Sequence, residues 1–424
     1  MKIMVQTNYL IFPVYTRATE KKLSVSCFGK PVFELKLKLD HTSPDFYAYL
    51  DVSLFKGEFL ELSVEPEMPI VFSEADEMPD GNLCRDAVRP QVHFTVKNGW
   101  MGTPESLFRT EKEYVLIYPY NPAGLSEGNG HWGYAVSRDL VHWTEVPNAI
   151  LPLGGERSLR RQALASIEEA RHLRLRGKEA CADVFALTAS DGERLWVSFC
   201  GNGSYLIGNR ENGTFKPTQG ERKLRYGAPA CASVTYVEAE TGRAIHLEWD
   251  ACRASRFCGQ TSVPMALSLE RDGGEYVLSA TPAEELQTLY KNTNLYKNFA
   301  VSKGKEIAFP LADAAHLIRF NGKMDGRAVI HAVLFGRTLL LDLGNNRAQL
   351  GGKSVPLSLG GGEWDLTIAV DRSGWELFAD RGRIYCSCVC EETSMDRNLL
   401  SLILRSDTEY RFDRLEVHAL ESIL

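Results

Sequence analysis

Residues 128–143 read GNGHWGYAVSRDLVHW, a stretch in which glycines and aromatic residues surround a short run of alternating side chains. Alternation places His131 and Gly133 on one face of an extended strand, and Trp132 and Tyr134 on the other face. Two related stretches come just before it, GWMGTPESL at 99–107 and YPYNP at 118–122. Gly, Pro and Asn at such positions are typical of turns between strands. The segment therefore predicts successive strands whose connecting loops carry aromatic side chains.

The rest of the chain repeats this pattern of strands and turns. Short apolar runs such as FELKLKL, EYVLIYPY and RLWVSFCG are bounded by Gly, Asn, Asp or Pro. We expect an all-β protein in three parts, an N-terminal β-domain over 1–80, a middle part over 85–285 and a C-terminal part over 290–424. The exception is 158–177, where Ser158 can cap a helix and Gly177 can end it. The arginines of this predicted helix could bind an acidic partner, but an amphipathic surface helix with solvated arginines is the favoured interpretation.

Composition and charge exclude several classes of function. The chain has 424 residues, of which 44% are hydrophobic and 24% charged, as in globular proteins of two or three domains. A net charge of −7 leaves no basic surface for phosphates, which argues against a nucleic-acid partner. No apolar run approaches the ~20 residues of a membrane-spanning helix, and the start shows no signal peptide, so we expect a cytoplasmic protein with no membrane partner.

The ten cysteines are scattered and form no CxxC pair. Cys386, Cys388 and Cys390 alternate along one predicted strand, and no His or second Cys cluster completes a metal site. Buried thiols that act as small apolar groups are the favoured interpretation. We therefore expect no metal site and no cofactor.

The motifs of residues 89–286 resemble glycoside hydrolase family 32, which comprises invertases, levanases, inulinases and related fructan hydrolases. RPQVHFTVKNGWM at 89–101, YPYNP and GNGHWGYAVSRDLVHW follow the order of that family's first propeller blade, and FCGQTSVPMALSL at 257–269 is similar to a later blade. Residues 364–383, WDLTIAVDRSGWELFADRGR, are similar to its C-terminal sandwich. The resemblance implies a five-bladed β-propeller with a central active site, a β-sandwich, and a fructose-containing sugar as ligand. It also implies retaining hydrolysis by two carboxyl groups ~5–5.5 Å apart.

The carboxylates that the resemblance implies are not matched in this chain. The nucleophile position falls on Thr103, next to Gly102 where the family has an amide, and a family glutamine is replaced by Pro119. A threonine hydroxyl without an adjacent base does not replace an ionised carboxylate. The acid position falls on Ala180, and the neighbouring Glu179 could take its place only through a β-bulge. The Arg-Asp-Pro motif of the third carboxylate is absent from the sequence, so we expect a catalytically inactive pseudoenzyme with a sugar-binding or assembly role in carbohydrate metabolism.

Other residues keep two alternatives open. Trp100, His131 and Trp132 are candidates for a sugar-binding wall, although packing inside the blade is favoured for the last two. An active glycosidase with a relocated carboxylate pair would draw on a small set of acids, Glu105, Glu127, Glu179 and Asp250, the last of which shares a strand face with Glu248. A purely structural interaction module is the second alternative.

The middle part is short for five blades. Without the helical segment, residues 89–286 leave room for about four blades of ~40 residues each. The sequence therefore predicts a shortened propeller with a helical insert. An unpaired blade edge favours pairing with another chain, so a homo-oligomer is one expected assembly.

Overall fold

A computed structural model describes residues 1–39, 44–77, 88–146, 181–227, 233–313, 315–360, 362–389, 396 and 399–424. The helix predicted at 158–177 lies outside these residues, as do Glu179, Ala180 and Cys390. Within them, strands are accompanied by two short 3₁₀ helices, Ser53–Phe55 and Glu284–Leu289. The expected all-β fold class is confirmed. None of the helices in the described ranges has the length and apolar character needed to cross a membrane.

The N-terminal residues form two small packed sheets. Their strands are β1 (Lys2–Met4), β2 (Tyr9–Val14), β3 (Lys21–Cys27), β4 (Lys30–Leu37), β5 (Phe46–Asp51), β6 (Phe59–Glu65) and β7 (Ser73–Ala75). One sheet has the order β1-β6-β3-β4 and the other β5-β2-β7. Strand β6, FLELSVE, buries Leu60, Leu62 and Val64 in strict alternation. These side chains pack with Leu10 and Leu23 in one core, so the period-2 pattern accounts for the packing of the two N-terminal sheets.

The middle of the chain forms blade-like antiparallel sheets. Its strands are β8 (Gly99–Met101), β9 (Ser106–Arg109), β10 (Tyr114–Asn121), β11 (His131–Ser137), β12 (Thr144–Glu145), β13 (Cys181–Thr188), β14 (Arg194–Cys200), β15 (Ser204–Glu211), β16 (Thr214–Pro217), β17 (Arg222–Lys223), β18 (Arg225–Tyr226), β19 (Ser233–Val237), β20 (Ala244–Arg253), β21 (Phe257–Thr261), β22 (Met265–Asp272) and β23 (Glu275–Pro282). In the described residues, β8–β12, β13–β17 and β19–β23 make three such units. Strand β21 pairs in parallel with β8 and joins the first unit to the third.

The C-terminal residues form a sandwich of a seven-stranded and a six-stranded sheet. Its strands are β24 (Tyr290–Val301), β25 (Glu306–Pro310), β26 (Ala315–Lys323), β27 (Val329–Leu334), β28 (Arg337–Asp342), β29 (Arg347–Leu350), β30 (Lys353–Pro356), β31 (Glu363–Asp371), β32 (Gly374–Ala379), β33 (Ile384–Val389), β34 (Ser401–Ser406) and β35 (Tyr410–Leu420). Trp364 and Trp375 lie fully inside the core between the sheets. Strand β18 pairs in parallel with β33, so the middle part contributes a strand to the sandwich.

A buried histidine fixes the start of the first blade to the sandwich. His93 Nδ1 lies 2.7 Å from Asp371 Oδ2, and its Nε2 lies 3.5 Å from Glu376 Oε1. The Asp371 carboxylate also accepts backbone N–H groups of Gln91 and Val92. Burial alone would lower the pKa of His93, but the two carboxylates outweigh burial and raise this pKa to about 10. The ring is therefore charged at neutral pH and forms a buried ion pair.

An asparagine amide attaches the N-terminal domain to the first blade. Lys36 N donates to Asn129 Oδ1 at 2.6 Å, and Asn129 Nδ2 donates to Lys36 O at 3.1 Å. Strand β4 is the edge of its sheet, so this amide occupies the place of a neighbouring strand. Ala123 and Leu125 of the same loop pack against the N-terminal core. The contact is therefore both polar and apolar.

Candidate functional site

The loop that follows β8 is built around a tryptophan folded over a glycine. A Cβ atom at Gly102 would lie 2.5 Å from the Trp100 ring and 3.0 Å from Pro119 Cβ. Gly102 N donates to Pro119 O at 2.8 Å, which fixes the loop against β10. A side chain at position 102 would therefore displace the indole. Gly102 and Pro119 together form the surface on which the Trp100 ring packs, which is called its seat below.

The structure places Trp100 and Trp132 on one face of the first unit. Trp132 pairs with Pro119, and Trp100 pairs with Asn121. Directly opposed residues share a face, as do residues two apart on a strand, so both indoles flank Pro119. Each is half-buried, and Trp132 packs against the small apolar cluster around Ile117. Two residues that the sequence offered separately thus form one aromatic wall.

His131 lies on the opposite face. It pairs with Tyr120 on β10 and is partly buried, and burial lowers the pKa of its ring. The imidazole is therefore neutral at neutral pH. The structure does not bring it to the wall of Trp100 and Trp132.

Thr103, at the expected nucleophile position, is half-buried next to this wall. Glu105 N donates to Ile117 O at 2.8 Å, so the loop continues along β10. Among the described residues, no group makes a hydrogen bond with the Thr103 hydroxyl. A threonine hydroxyl needs an adjacent base to act as a nucleophile, and the structure shows none in the described ranges.

A third tryptophan, Trp249 on β20, contacts the same loop and was not identified as a site residue from the sequence. Trp249 Nε1 donates to Met101 O at 2.9 Å. The indole N–H lies close to Gly259, where a Cβ atom would be 2.8 Å from Trp249 Nε1 and 2.1 Å from Met101 O. The φ of +93° at Gly259 also disfavours any residue with a side chain. The available signal was the stretch HLEWD, in which Trp249 lies between the two acids that drew attention.

Those two acids are engaged in a buried ion cluster. Arg225 Nη1 donates to Glu248, and its Nη2 donates to Asp250 Oδ1 at 2.9 Å and to Ser387 Oγ at 2.8 Å. The Arg225 and Glu248 side chains are each 3% exposed and that of Asp250 is 11% exposed. Asp250, which the sequence offered as part of a relocated catalytic pair, is engaged by Arg225 in the structure. Its carboxylate neutralises an arginine where β18, β20 and β33 meet.

Glu127, another candidate for a relocated pair, is exposed and lines a cleft between the N-terminal domain and the first blade. Neither Thr103 nor Asp250 is among the residues that line this cleft. Glu179 and Ala180 lie outside the described residues, but the register of β13 shifts between Cys181 and Asp183. An irregularity in the pairing of β13 with β14 therefore begins at Cys181. In the described ranges, no group of three or more His, Cys, Asp or Glu residues could hold a metal ion.

Comparison with known proteins agrees with this architecture. Residues 93–158 match the family model described as the glycosyl hydrolases family 32 N-terminal domain. The levanase of Bacillus subtilis is 34% identical over 97 residues, which make up 23% of this chain and only 14% of the levanase. The matched region is therefore a small part of that relative's length.

Two solved structures share the fold of this chain. The exo-inulinase from Aspergillus awamori superposes with a TM-score of 0.64 at 15% identity, over 81% of this chain and 100% of that chain. The β-fructofuranosidase of Bombyx mori, solved as a point mutant in complex with sucrose, gives a TM-score of 0.55 at 14% identity, over 81% of this chain and 96% of that chain. The expected architecture of a β-propeller followed by a β-sandwich is confirmed. The sequence similarity to the glycosyl hydrolases family 32 N-terminal domain is concentrated in the first blade, and the fold similarity to solved structures extends over most of the chain.

Proposed function

We propose that this chain is a non-hydrolytic member of glycoside hydrolase family 32 that binds a fructose-containing sugar against the wall formed by Trp100 and Trp132. The observation that carries the proposal is the nucleophile loop itself. Trp100 lies over Gly102 against Pro119, and position 103 holds a hydroxyl in place of a carboxylate. A loop of this composition can pack on a sugar ring, but it cannot form the glycosyl intermediate of a retaining hydrolase.

The chemistry of the wall supports binding. Half-buried indoles present a large, rigid apolar surface and keep one polar N–H, a combination suited to a sugar with apolar faces and hydroxyl edges. Trp249 Nε1 is committed to Met101 O and so stabilises the loop that carries Trp100. A family neighbour was solved with sucrose bound, which makes sucrose the first ligand to test.

Hydrolysis and binding are measured on the same purified chain. We expect no release of fructose from sucrose, inulin or levan, together with a calorimetric binding signal for at least one of them. Trp100→Ala should weaken that binding by about tenfold, equivalent to ~1.4 kcal/mol. Trp196→Ala is the matched control, because Trp196 is also half-buried but packs beneath Arg210 on another sheet.

Two results would contradict the proposal. Fructose release that disappears in Glu127→Gln or Glu179→Gln would reveal a rebuilt acid–base site. Sugar binding that Trp100→Ala and Trp196→Ala reduce equally would show that the wall is not the binding surface.

A further inference from the structure

The cleft lined by Glu127 is a second candidate site, separate from the aromatic wall. It has a volume of about 310 Å³ and lies between strand β4 with the neighbouring 14–20 segment on one side and the 121–129 loop with the end of β20 on the other. Pockets that hold small molecules begin at roughly this size. The cleft therefore has room for a ligand the size of a monosaccharide.

The walls of the cleft are held in place before any ligand arrives. The reciprocal hydrogen bonds between Asn129 and the Lys36 backbone join its two sides. Asn121 supports the loop from within, because its Nδ2 donates to Ser126 O at 2.9 Å and its Oδ1 accepts from Asn129 Nδ2 at 2.8 Å. A preformed site loses little conformational entropy when it binds a ligand.

The charge of the lining differs in sign from that of the whole protein. Three cations, Lys36, Lys38 and Arg253, face two acids, Glu20 and Glu127, which leaves one excess positive charge. The chain as a whole carries −7. A positive cleft on an acidic protein attracts small anions selectively.

The three cations differ in how far they are already engaged. Lys38 Nζ donates to Thr16 O at 3.0 Å, and Lys36 Nζ lies 3.8 Å from Glu20 Oε1 in an exposed pair. Arg253 is exposed and has no ion-pair partner in the described part of the chain. A guanidinium is a planar donor that matches a carboxylate or phosphate with two parallel hydrogen bonds. Arg253 is therefore the group best placed to receive an anion.

The remaining lining defines what the anion is attached to. The exposed Glu127 carboxylate can accept hydrogen bonds from sugar hydroxyls, and the Thr16 hydroxyl, which donates to Asp45, can still accept one. No aromatic ring is among the described lining residues. We propose that the cleft binds an anionic monosaccharide, which carries either a phosphate ester or a carboxylate. Arg253 and Lys36 hold the anion, and the Glu127 carboxylate and the Thr16 hydroxyl accept hydrogen bonds from the sugar hydroxyls.

Calorimetric titration of the full chain tests this inference with fructose 6-phosphate, glucuronate, inorganic phosphate and neutral fructose as probes. We expect at least one anionic sugar to bind, and the one that binds identifies the phosphate ester or the carboxylate as the source. Arg253→Gln and Lys36→Gln should each weaken binding by about fivefold to tenfold. Lys303→Gln, which removes an exposed charge outside the cleft lining, should leave it unchanged.

Three results would overturn the inference. These are no binding of either anionic sugar, binding that neither cleft variant weakens, and inorganic phosphate that binds as tightly as the sugar phosphate. The outcome is independent of the aromatic wall, because anionic-sugar binding at the cleft should survive in Trp100→Ala. Conversely, a loss of neutral-sugar binding in Trp100→Ala would not bear on whether the cleft binds an anionic sugar.

Discussion

Replacing Arg225 by methionine should destabilise the protein more than any surface charge substitution. Its guanidinium is 3% exposed and donates to Glu248, Asp250 and Ser387. Methionine fills much of the same volume but leaves both carboxylates buried without their cation. Removing one partner of a buried ion pair typically costs ~3–5 kcal/mol, so we expect a loss of that size in the free energy of unfolding.

The assay is urea unfolding followed by circular dichroism and by tryptophan fluorescence. A triple variant, Arg225→Met with Glu248→Gln and Asp250→Asn, should recover most of the loss because no unpaired charge remains in the interior. The matched control is Arg210→Met, an exposed arginine over the Trp196 ring, whose loss should cost about 1 kcal/mol or less.

The reasoning fails if Arg225→Met unfolds within about 1 kcal/mol of the parent, since a buried unpaired carboxylate cannot be that inexpensive. It also fails if the triple variant is less stable than the single one. Either result would mean that Glu248 and Asp250 exchange with water. In that case Asp250 would again be open to a chemical role.

Three further changes probe other parts of the fold. Because the pKa of His93 is raised, the contribution of this residue to stability is fully present below its ordinary pKa of 6.5 and is lost as pH rises through about 10. The urea midpoint of the parent should therefore fall between pH 7 and pH 10.5. The midpoint of His93→Gln should vary less over the same range. Asn129→Ala removes both hydrogen bonds to the Lys36 backbone and should speed amide hydrogen exchange along β4, by the equivalent of about 1–3 kcal/mol, without changing exchange in the sandwich. Gly102→Asn forces the Trp100 ring away from its seat, which should shift the fluorescence spectrum and cost about 1–3 kcal/mol; an unchanged spectrum would show that the ring does not lie there.

The fold could be predicted from local patterns because its elements are local. Alternation in FLELSVE and the turn residues around 118–143 specify strands and hairpins without reference to the rest of the chain. The ordered motifs then indicated the propeller and the sandwich. The junctions were not predictable in this way, since His93 meets Asp371 across 278 positions of sequence.

The candidate site was predictable only in part, for the same reason. Trp100 and Trp132 could be named from the sequence, but their common face depends on the register of both with β10. The spacing of Glu248 and Asp250 correctly gave a shared strand face. It could not show that Arg225 approaches that face from a short strand belonging to another sheet. Glu248 and Asp250 therefore looked unpaired in the sequence, although Arg225 neutralises them in the structure.

The side chains around Thr103 depend on one another, which bears on whether a carboxylate at position 103 could support hydrolysis. Trp100 occupies its present place only because position 102 has no side chain and position 119 offers a proline surface. Thr103→Asp alone would add a carboxylate beside an indole, in a loop whose backbone is already fixed by Gly102 N and by Trp249. Such a carboxylate would lack the neighbouring amide that the family resemblance implies, because position 102 is a glycine. The glycine at position 102, the threonine at position 103 and the packing of Trp100 on Pro119 are thus parts of one local arrangement.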